Sequence, residues 1–526
     1  MLKWPCGGVH VMFNNQSDEA SKDELRKRKR RKAQLQAYAV LAAGVLVVVL
    51  VLVGIFSGIG TIIKKSGEKK IEQSAGDKKS EKKEEAAAKE GTSETETQQS
   101  QSIAEQVAEA SANEPEEEIP VEELEKEALR NYVGSFIDSM TIEEKVAGLF
   151  FVTPESLTGM GTVTAAGSST SAAILQYPVG GIVYDTKNIE NSEQFRDMIY
   201  NTKSFCKYEV FVAVAEEGGE NSPLSTGGLV TEPIIGQKEI GETSKGAGAY
   251  SMGISVASTL STLGINVNFA PVSDVALVEN SVIANRSYGT DKAQVLSMTK
   301  NMLKGMSDQS VYGCLKYFPG QGDVTIDSGK GRSTSKRTKA DLESYEYEFV
   351  KMAVEEKVPF LMVSHVSMPE ITGDNTPASM SGVFMTDMLR TELGYEGIII
   401  TDYMSKAAIT RYYKHADAAV MAIQAGADMI LTSSDFKKAY SGVLKAVEEG
   451  KITEERIDES LYRIFMLKYK NSVDYSSIME AEQTAEETDA ADANTGTEDT
   501  EEAETTEEAE VLEELENLEE ENETSN

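Results

Sequence analysis

Apolar and polar residues alternate on three different length scales along this chain. From Ala37 to Ile63 the sequence AYAVLAAGVLVVVLVLVGIFSGIGTII carries no charge, and it exceeds the ~20 residues needed to cross a bilayer. It has no polar face, so a buried core helix accounts for it poorly and a transmembrane helix over 37–63 is predicted. Between about Ala128 and Lys470, short runs rich in Val, Ile and Phe recur between segments with helical spacing, the mark of repeated βα units and a parallel sheet. Eight runs qualify: AGLFFVTP, GGIVYD, EVFVAVAEE, INVNFAPVSD, YGCLKYFPG, PFLMVSHVSMP, GIIITDYM and ADMILTSS. Eight units in one domain of this size predict a (β/α)8 TIM barrel over residues 128–472, an α/β fold. Residues 64–127 have helix-prone patches but no sustained apolar stripe and read as a charged stalk linker, with an r.m.s. span of about 45 Å if flexible.

Charge refines this picture. The net charge of −36 comes largely from residues 473–526, which are dense in Asp and Glu and hold no Lys or Arg. Such a segment, poor in aromatic residues, cannot bury enough apolar surface to offset its ordering entropy and is predicted to be a disordered acidic tail. Outside the N-terminus there is no basic surface, which argues against nucleic acid as a partner. The basic segment 1–36 ends in LRKRKRRK, Leu25 to Lys32, just before the apolar run. That density of positive charge is expected to hold the N-terminus in the cytoplasm and leave the barrel extracytoplasmic, on a single-pass anchor in the cell membrane. A cleaved signal peptide is the rival reading, but the apolar run is longer than an h-region and no small-x-small site follows it. Of the three cysteines, Cys206 and Cys314 alone lie beyond the anchor, and Cys314 sits in an apolar run where a packed free thiol is expected. His365 and His415 lack companions at ligand spacing, so neither a metal nor another cofactor is predicted.

The candidate chemistry lies at the C-terminal ends of the runs, where barrel active sites are built. Glu216, Glu217, Asp274, Lys316, His365, Asp402 and Ser433 all fall there. Asp402 follows Gly397, three isoleucines and Thr401, a carboxylate at the mouth of an apolar strand. It reads equally as a nucleophile or as an N-cap for a helix opening at SKAAIT. Arg286, in NRSYGTD, has the fork to bind hydroxyls or a carboxylate with two hydrogen bonds. A ring of Arg286, Lys316, His365 and Asp402 suits a polyhydroxylated ligand, or alternatively forms a salt-bridged structural rim.

Six segments, INVNFAPVSDV, NRSYGTD, KYFPGQGD with its following DS, MVSHVSMP with PASMS, LRTELGYEGIIITDYM and AIQAGADMIL, together resemble the N-terminal domain of family 3 glycoside hydrolases in order and spacing. The resemblance is strongest to the single-domain β-N-acetylhexosaminidase branch and covers nearly all of Thr141 to Lys470. It implies a retaining glycosidase acting on glycans that contain N-acetylglucosamine, with Asp402 as nucleophile and sugar contacts from Arg286 and Lys316. Two departures stand out. Where the family carries K-H-F-P-G and then D-[ST]-H, with the last His as acid/base, this chain has Tyr317 and then Asp327, Ser328 and Gly329. Where the family has a sugar-binding Asp before its xEGG element, this chain has Ala215. Asp327 is therefore the candidate substitute acid, with Asp323 and Glu216 as the other stand-ins, Lys330 or Arg332 is a candidate contact for an acidic group of the substrate, and Tyr317, His365 and Glu216 are further candidate substrate contacts. Two readings follow: a membrane-tethered β-N-acetylhexosaminidase acting on cell-wall or surface glycans, or a pseudoenzyme that binds glycan or a protein partner without turnover.

Overall fold

The structure, a computed structural model, describes residues 121–470 apart from residue 245. The predicted basic segment, membrane span and acidic tail, and the stalk up to residue 120, lie outside the described residues. No helix among the described residues is long and apolar enough to cross a membrane. The last part of the predicted stalk is helical: a helix Val121–Ser139 buries Leu129, Val133 and Ile137. Its Phe136 stacks on Tyr469 with ring centroids 5.2 Å apart.

All eight apolar runs contain a strand: β1 Phe150–Val152, β2 Gly181–Val183, β3 Phe211–Val214, β4 Val267–Asn268, β5 Tyr312–Phe318, β6 Phe360–Val363, β7 Ile398–Thr401 and β8 Ile430–Thr432. Every pairing is parallel, in the order β8-β1-β2-β3-β4-β5-β6-β7. A parallel bridge between Ile400 and Met429 and the Thr401 N–H donated to Met429 O at 3.1 Å bring β7 against β8 and complete the round. The strands read as continuous apolar runs because both faces are covered, by helices outside and by the packed interior within. Phe151, Phe211, Phe269 and Phe360 fill that interior, with Phe151 and Phe269 in edge contact at 5.1 Å and Phe211 and Phe360 likewise at 5.1 Å. Each such buried ring contributes on the order of 2–3 kcal/mol from its area alone. Gly181 in β2 is required by this packing, since a Cβ there would lie 2.4 Å from the Phe151 ring.

Helices start at residues that satisfy the free N–H groups of their first turn. Thr141, Asn191, Asp291 and Thr453 cap the helices Ile142–Gly148, Ser192–Ser204, Lys292–Ser307 and Glu454–Tyr469 with side-chain acceptors. The long loop after β5 is fixed at both ends. Ser333–Thr334 pairs in parallel with Val366–Ser367, and the Ala408 N–H donates to Ser328 O at 2.8 Å. The loop in which a histidine was expected is thereby drawn against the segment that follows β7. Cys206 and Cys314 are free thiols, and burial pushes Cys314 up to about 12.

Candidate active site

A cavity of about 750 Å³ opens at the C-terminal end of the barrel, within the range of small-molecule sites. Asp402 reaches it because β7 is fully buried up to Thr401 and the Asp402 N–H continues the ladder to Val363 O at 2.9 Å. Its carboxylate is almost fully buried. Oδ1 accepts the Tyr403 N–H at 2.7 Å, and Oδ2 accepts from Lys406 Nζ at 2.7 Å. Burial alone would raise this carboxyl, but the Lys406 ammonium and the neighbouring His365 outweigh it and hold Asp402 at about 2. The capping reading fails, because the helix Ala407–Thr410 has Lys406 at its N-cap position and no side-chain cap.

A second cluster is built from the segment after β3, the loop after β4 and β5 itself. Glu217, after β3, accepts from Arg286 Nε at 2.8 Å through Oε2 and from Arg286 Nη2 at 2.8 Å through Oε1. It also pairs with Lys316 Nζ, and its Oε2 accepts from Asn221 Nδ2 at 3.1 Å. Burial would raise Glu217, yet Lys316 and Arg286 reverse that and keep it well below the usual carboxylate range. Arg286 Nη2 donates further to the Tyr317 hydroxyl at 2.9 Å. Asp274 lies beneath, accepting the Tyr317 and Gln321 N–H groups at 2.9 Å each, so it sets the start of the β5 loop. Burial pushes it up to about 6 despite both donors.

Of the predicted contacts, Arg286, Lys316, Tyr317 and Asp402 all line the cavity. Three others do not. Glu216 turns away from the cavity: its carboxyl accepts from the Gly218 N–H at 2.8 Å, the Ser222 hydroxyl at 2.9 Å and the Leu224 N–H at 3.0 Å. Successive residues of an extended chain point to opposite sides, so only one of Glu216 and Glu217 reaches the cavity, and it is Glu217. His365 lies beneath the β7 loop, with Nε2 2.9 Å from Tyr403 O and Nδ1 2.7 Å from Ser379 Oγ. A carbonyl only accepts, so Nε2 carries the proton and Nδ1 accepts from Ser379; burial lowers the ring's basicity. His365 thus supports Tyr403 from behind. Asp327 is turned into its own loop, Oδ1 accepting the Gly329 N–H at 2.6 Å. Asp323 accepts from the Ser335 hydroxyl at 2.6 Å, and Lys330 and Arg332 do not line the cavity.

Gly329, the position of the expected histidine, does line the cavity, as does Ala215. Both departures therefore face the ligand space and are not absorbed by a shift of the chain. Lys406 is the participant that sequence reasoning missed. Its one signal is the four-residue spacing from Asp402, which identifies a partner only when a helix joins the two; here a loop does. The exposed carboxylates Asp185 and Glu220 stand at the rim. No group of residues suited to hold a metal ion occurs among the described residues.

The profile of the Glycosyl hydrolase family 3 N terminal domain matches residues 141–467. Beta-hexosaminidase A of Pseudoalteromonas piscicida is 27% identical over 344 residues, 60% of this chain and 57% of that protein. The Beta-hexosaminidase of Shewanella frigidimarina is 30% identical over 276 residues, 51% of this chain and 79% of that protein. Among solved structures, a family 3 β-N-acetylglucosaminidase from Paenibacillus sp. str. FPU-7 superposes with a TM-score of 0.60 at 30% identity, over 64% of each chain. The eight-stranded parallel barrel, the carboxylate at the end of β7 and the profile match over 141–467 agree: this chain belongs to glycosyl hydrolase family 3.

Proposed function

We propose that this protein is a glycoside hydrolase of the β-N-acetylhexosaminidase type that acts on N-acetylglucosamine-containing glycans by a retaining route, with Asp402 as nucleophile. The observation that carries the reading is an ionised carboxylate at the end of β7, lining a sugar-sized cavity, in a family whose similar members are named as hexosaminidases. In this route Asp402 attacks the anomeric carbon, the glycosidic oxygen leaves, and water later resolves the glycosyl-enzyme. Arg286, Lys316 and Tyr317 on the facing wall supply hydrogen-bond donors for the sugar hydroxyls.

Leaving-group protonation is the weak step. Gly329 offers no side chain, Asp327 is committed to its turn, and Glu217 is locked between two cations. None of these positions then supplies the proton, and leaving groups that need little acid assistance are favoured. A second reading, a glycan-binding pseudoenzyme, is favoured by the same absence together with the engagement of both Asp402 oxygens. Turnover of an aryl β-N-acetylglucosaminide by the full chain, abolished in Asp402→Ala, supports the hydrolase; no turnover of this activated substrate rejects it. As part of the same proposal, residues 37–63 anchor the chain in the cell membrane with the barrel outside, on cell-wall or surface glycan. Protease added to intact cells should then degrade the barrel, and complete protection would reject that orientation.

A further inference from the structure

The sequence shows no basic surface beyond the N-terminus, but the fold assembles a small one beside the cavity. Gly329 and Thr410 line the mouth from two separate segments, which the bond from the Ala408 N–H to Ser328 O joins at 2.8 Å. Next to them in the chain, outside the cavity lining, stand Lys330, Arg332, Arg411 and Lys414. Arg332 lies over the Tyr412 ring at 4.2 Å, and a Cβ on Gly331 would come within 3.5 Å of Arg411 Nη1. The two segments thus set their cations side by side around a ring that is 49% exposed. Among the described residues none of the four cations pairs with a carboxylate. Two acids belong to the same segments, and both have local uses: Asp327 accepts the Gly329 N–H at 2.6 Å, and Asp417 lies in the first turn of the helix His415–Gln424. Asp435, close to that helix, is shared by Lys438 at 2.6 Å and His415 at 3.1 Å. Like charges gathered in this way repel one another, and an anionic partner removes the repulsion.

Matching chemistry follows in the same chain. Residues 473–526 hold no Lys or Arg, and within them EVLEELENLEEE, Glu510 to Glu521, sets Val511, Leu515 and Leu518 at four- and three-residue spacing among glutamates. Such a sequence is too acidic to build a core alone, but it can order on a surface that offers cations and an apolar ring. Its reach is sufficient. The described residues stop at Lys470, which lines a second hollow at the opposite end of the barrel together with Tyr312 at the start of β5. The helix Lys292–Ser307, of 16 residues and so about 24 Å long, marks the height to be climbed. Residues 471–509 can extend to about 130 Å. The nearer hollow also holds lysines, but Lys300 and Lys304 are paired there with Glu356 and Asp308. The helices Lys292–Ser307 and Glu346–Glu355 end beside it, and their carbonyl ends disfavour acidic residues. We propose that the segment Glu510–Glu521 lies across the cavity mouth, its glutamates on Lys330, Arg332, Arg411 and Lys414 and its apolar residues on Tyr412. Docked there, it stands between the entrance and solvent as an autoinhibitory contact. The docking concerns access and holds whether or not the cavity turns over glycan.

The test is carbodiimide cross-linking of the full chain, which joins a lysine to a carboxylate in contact with it, read by peptide mapping. At low salt Lys330 or Lys414 should be joined to a glutamate of residues 510–521, and about 0.5 M salt should lower that yield several-fold, because exposed ion pairs are screened. Arg332→Glu combined with Arg411→Glu leaves both lysines open to the reagent and should lower the yield about fivefold or more. Reversal on the other partner, Glu513→Lys with Glu516→Lys, should give the same fall without touching the barrel. Lys304→Glu, at the far end of the barrel, should leave the yield unchanged. When isotope-labelled and unlabelled chains are mixed, the cross-link should stay within one chain. No cross-link from Lys330 or Lys414 to residues 510–521, cross-links to that segment only from Lys300, Lys304, Lys357 or Lys470, products joining two chains, or a yield unchanged in either charge reversal overturns the proposal. Where the aryl glycoside is hydrolysed, Glu513→Lys with Glu516→Lys should raise kcat/KM about threefold or more, and an unchanged value removes the segment from the entrance. Hydrolysis without the cross-link sinks this inference alone, while the cross-link without hydrolysis sinks the hydrolase reading alone.

Discussion

The two walls of the cavity are built on opposite principles. On the wall from β3, β4 and β5, every charged group has a partner: Glu217 clamps Arg286 and Lys316, and Arg286 supports Tyr317. Asp274 then pins the Tyr317 and Gln321 amides from below. On the wall from the β5 loop, the chain presents the backbone of Gly329, and Asp327 closes a turn away from the ligand. The first wall is rigid because removing any member strands a buried charge. The second is open because a glycine has nothing to strand. The first wall is thus held by over-determined geometry, while the second presents a glycine where a histidine was expected.

Four measurements would break or sharpen this contrast. Asp402 stands at the end of β7, outside both walls; with Asp402 as the proposed nucleophile, Asp402→Ala should lower aryl-glycoside turnover by about 10³-fold or more, roughly 4 kcal/mol of barrier. A residual rate near wild type would remove it from the chemistry. Glu217→Gln should destabilise the protein by about 3 kcal/mol, the lower part of the range for breaking a buried ion pair since Arg286 is partly exposed. A urea-unfolding free energy lowered by only a few tenths of a kcal/mol would mean the first wall is not locked.

Asp274 tests the same wall through pH. Its folded-state value, about 6, lies above the ordinary 3.8, so the fold prefers the neutral acid. Its stabilising contribution is complete below 3.8 and lost as pH rises through about 6. That loss amounts to about 2–3 kcal/mol. Asp274→Asn, which imitates the protonated acid, should flatten the stability profile across this window, and an unaltered slope would contradict the burial argument. The smallest effect is a gain on the open wall. A Cβ at Gly329 would meet Asp327 Oδ1 at 2.8 Å, the end of a side chain that can move. Gly329→His should then raise turnover of a poor-leaving-group glycoside by about 10- to 100-fold, with little change for an activated aryl glycoside. Equal changes for both substrates would show that the new ring does not deliver a proton.

Much of the fold was legible along the chain, for identifiable reasons. A parallel barrel strand is apolar on both faces, so IIIT in β7 and FVAV in β3 stand out without any partner. Polar residues stand out against such apolar runs near their C-terminal ends, so Asp402 and Lys316 were found at the cavity. Adjacent carboxylates were harder: Glu216 and Glu217 are chemically alike, and only the path of the chain after β3 sends one into the cavity and the other into its own loop. His365 was misjudged similarly, because a histidine at a strand end is as well placed to support Tyr403 as to meet a ligand.

Local sequence thus determined the eight strands, their parallel arrangement and the aspartate at the mouth of the seventh, since each follows from which residues avoid water and in what rhythm. Tertiary structure alone decided the charge pairings. Glu217 meets Lys316 across 99 positions of sequence, and Lys406 meets Asp402 through the bend of a loop. Such pairings depend on the distance and solvent exclusion that closure of the barrel creates, and neither quantity is encoded in the order of residues around either partner.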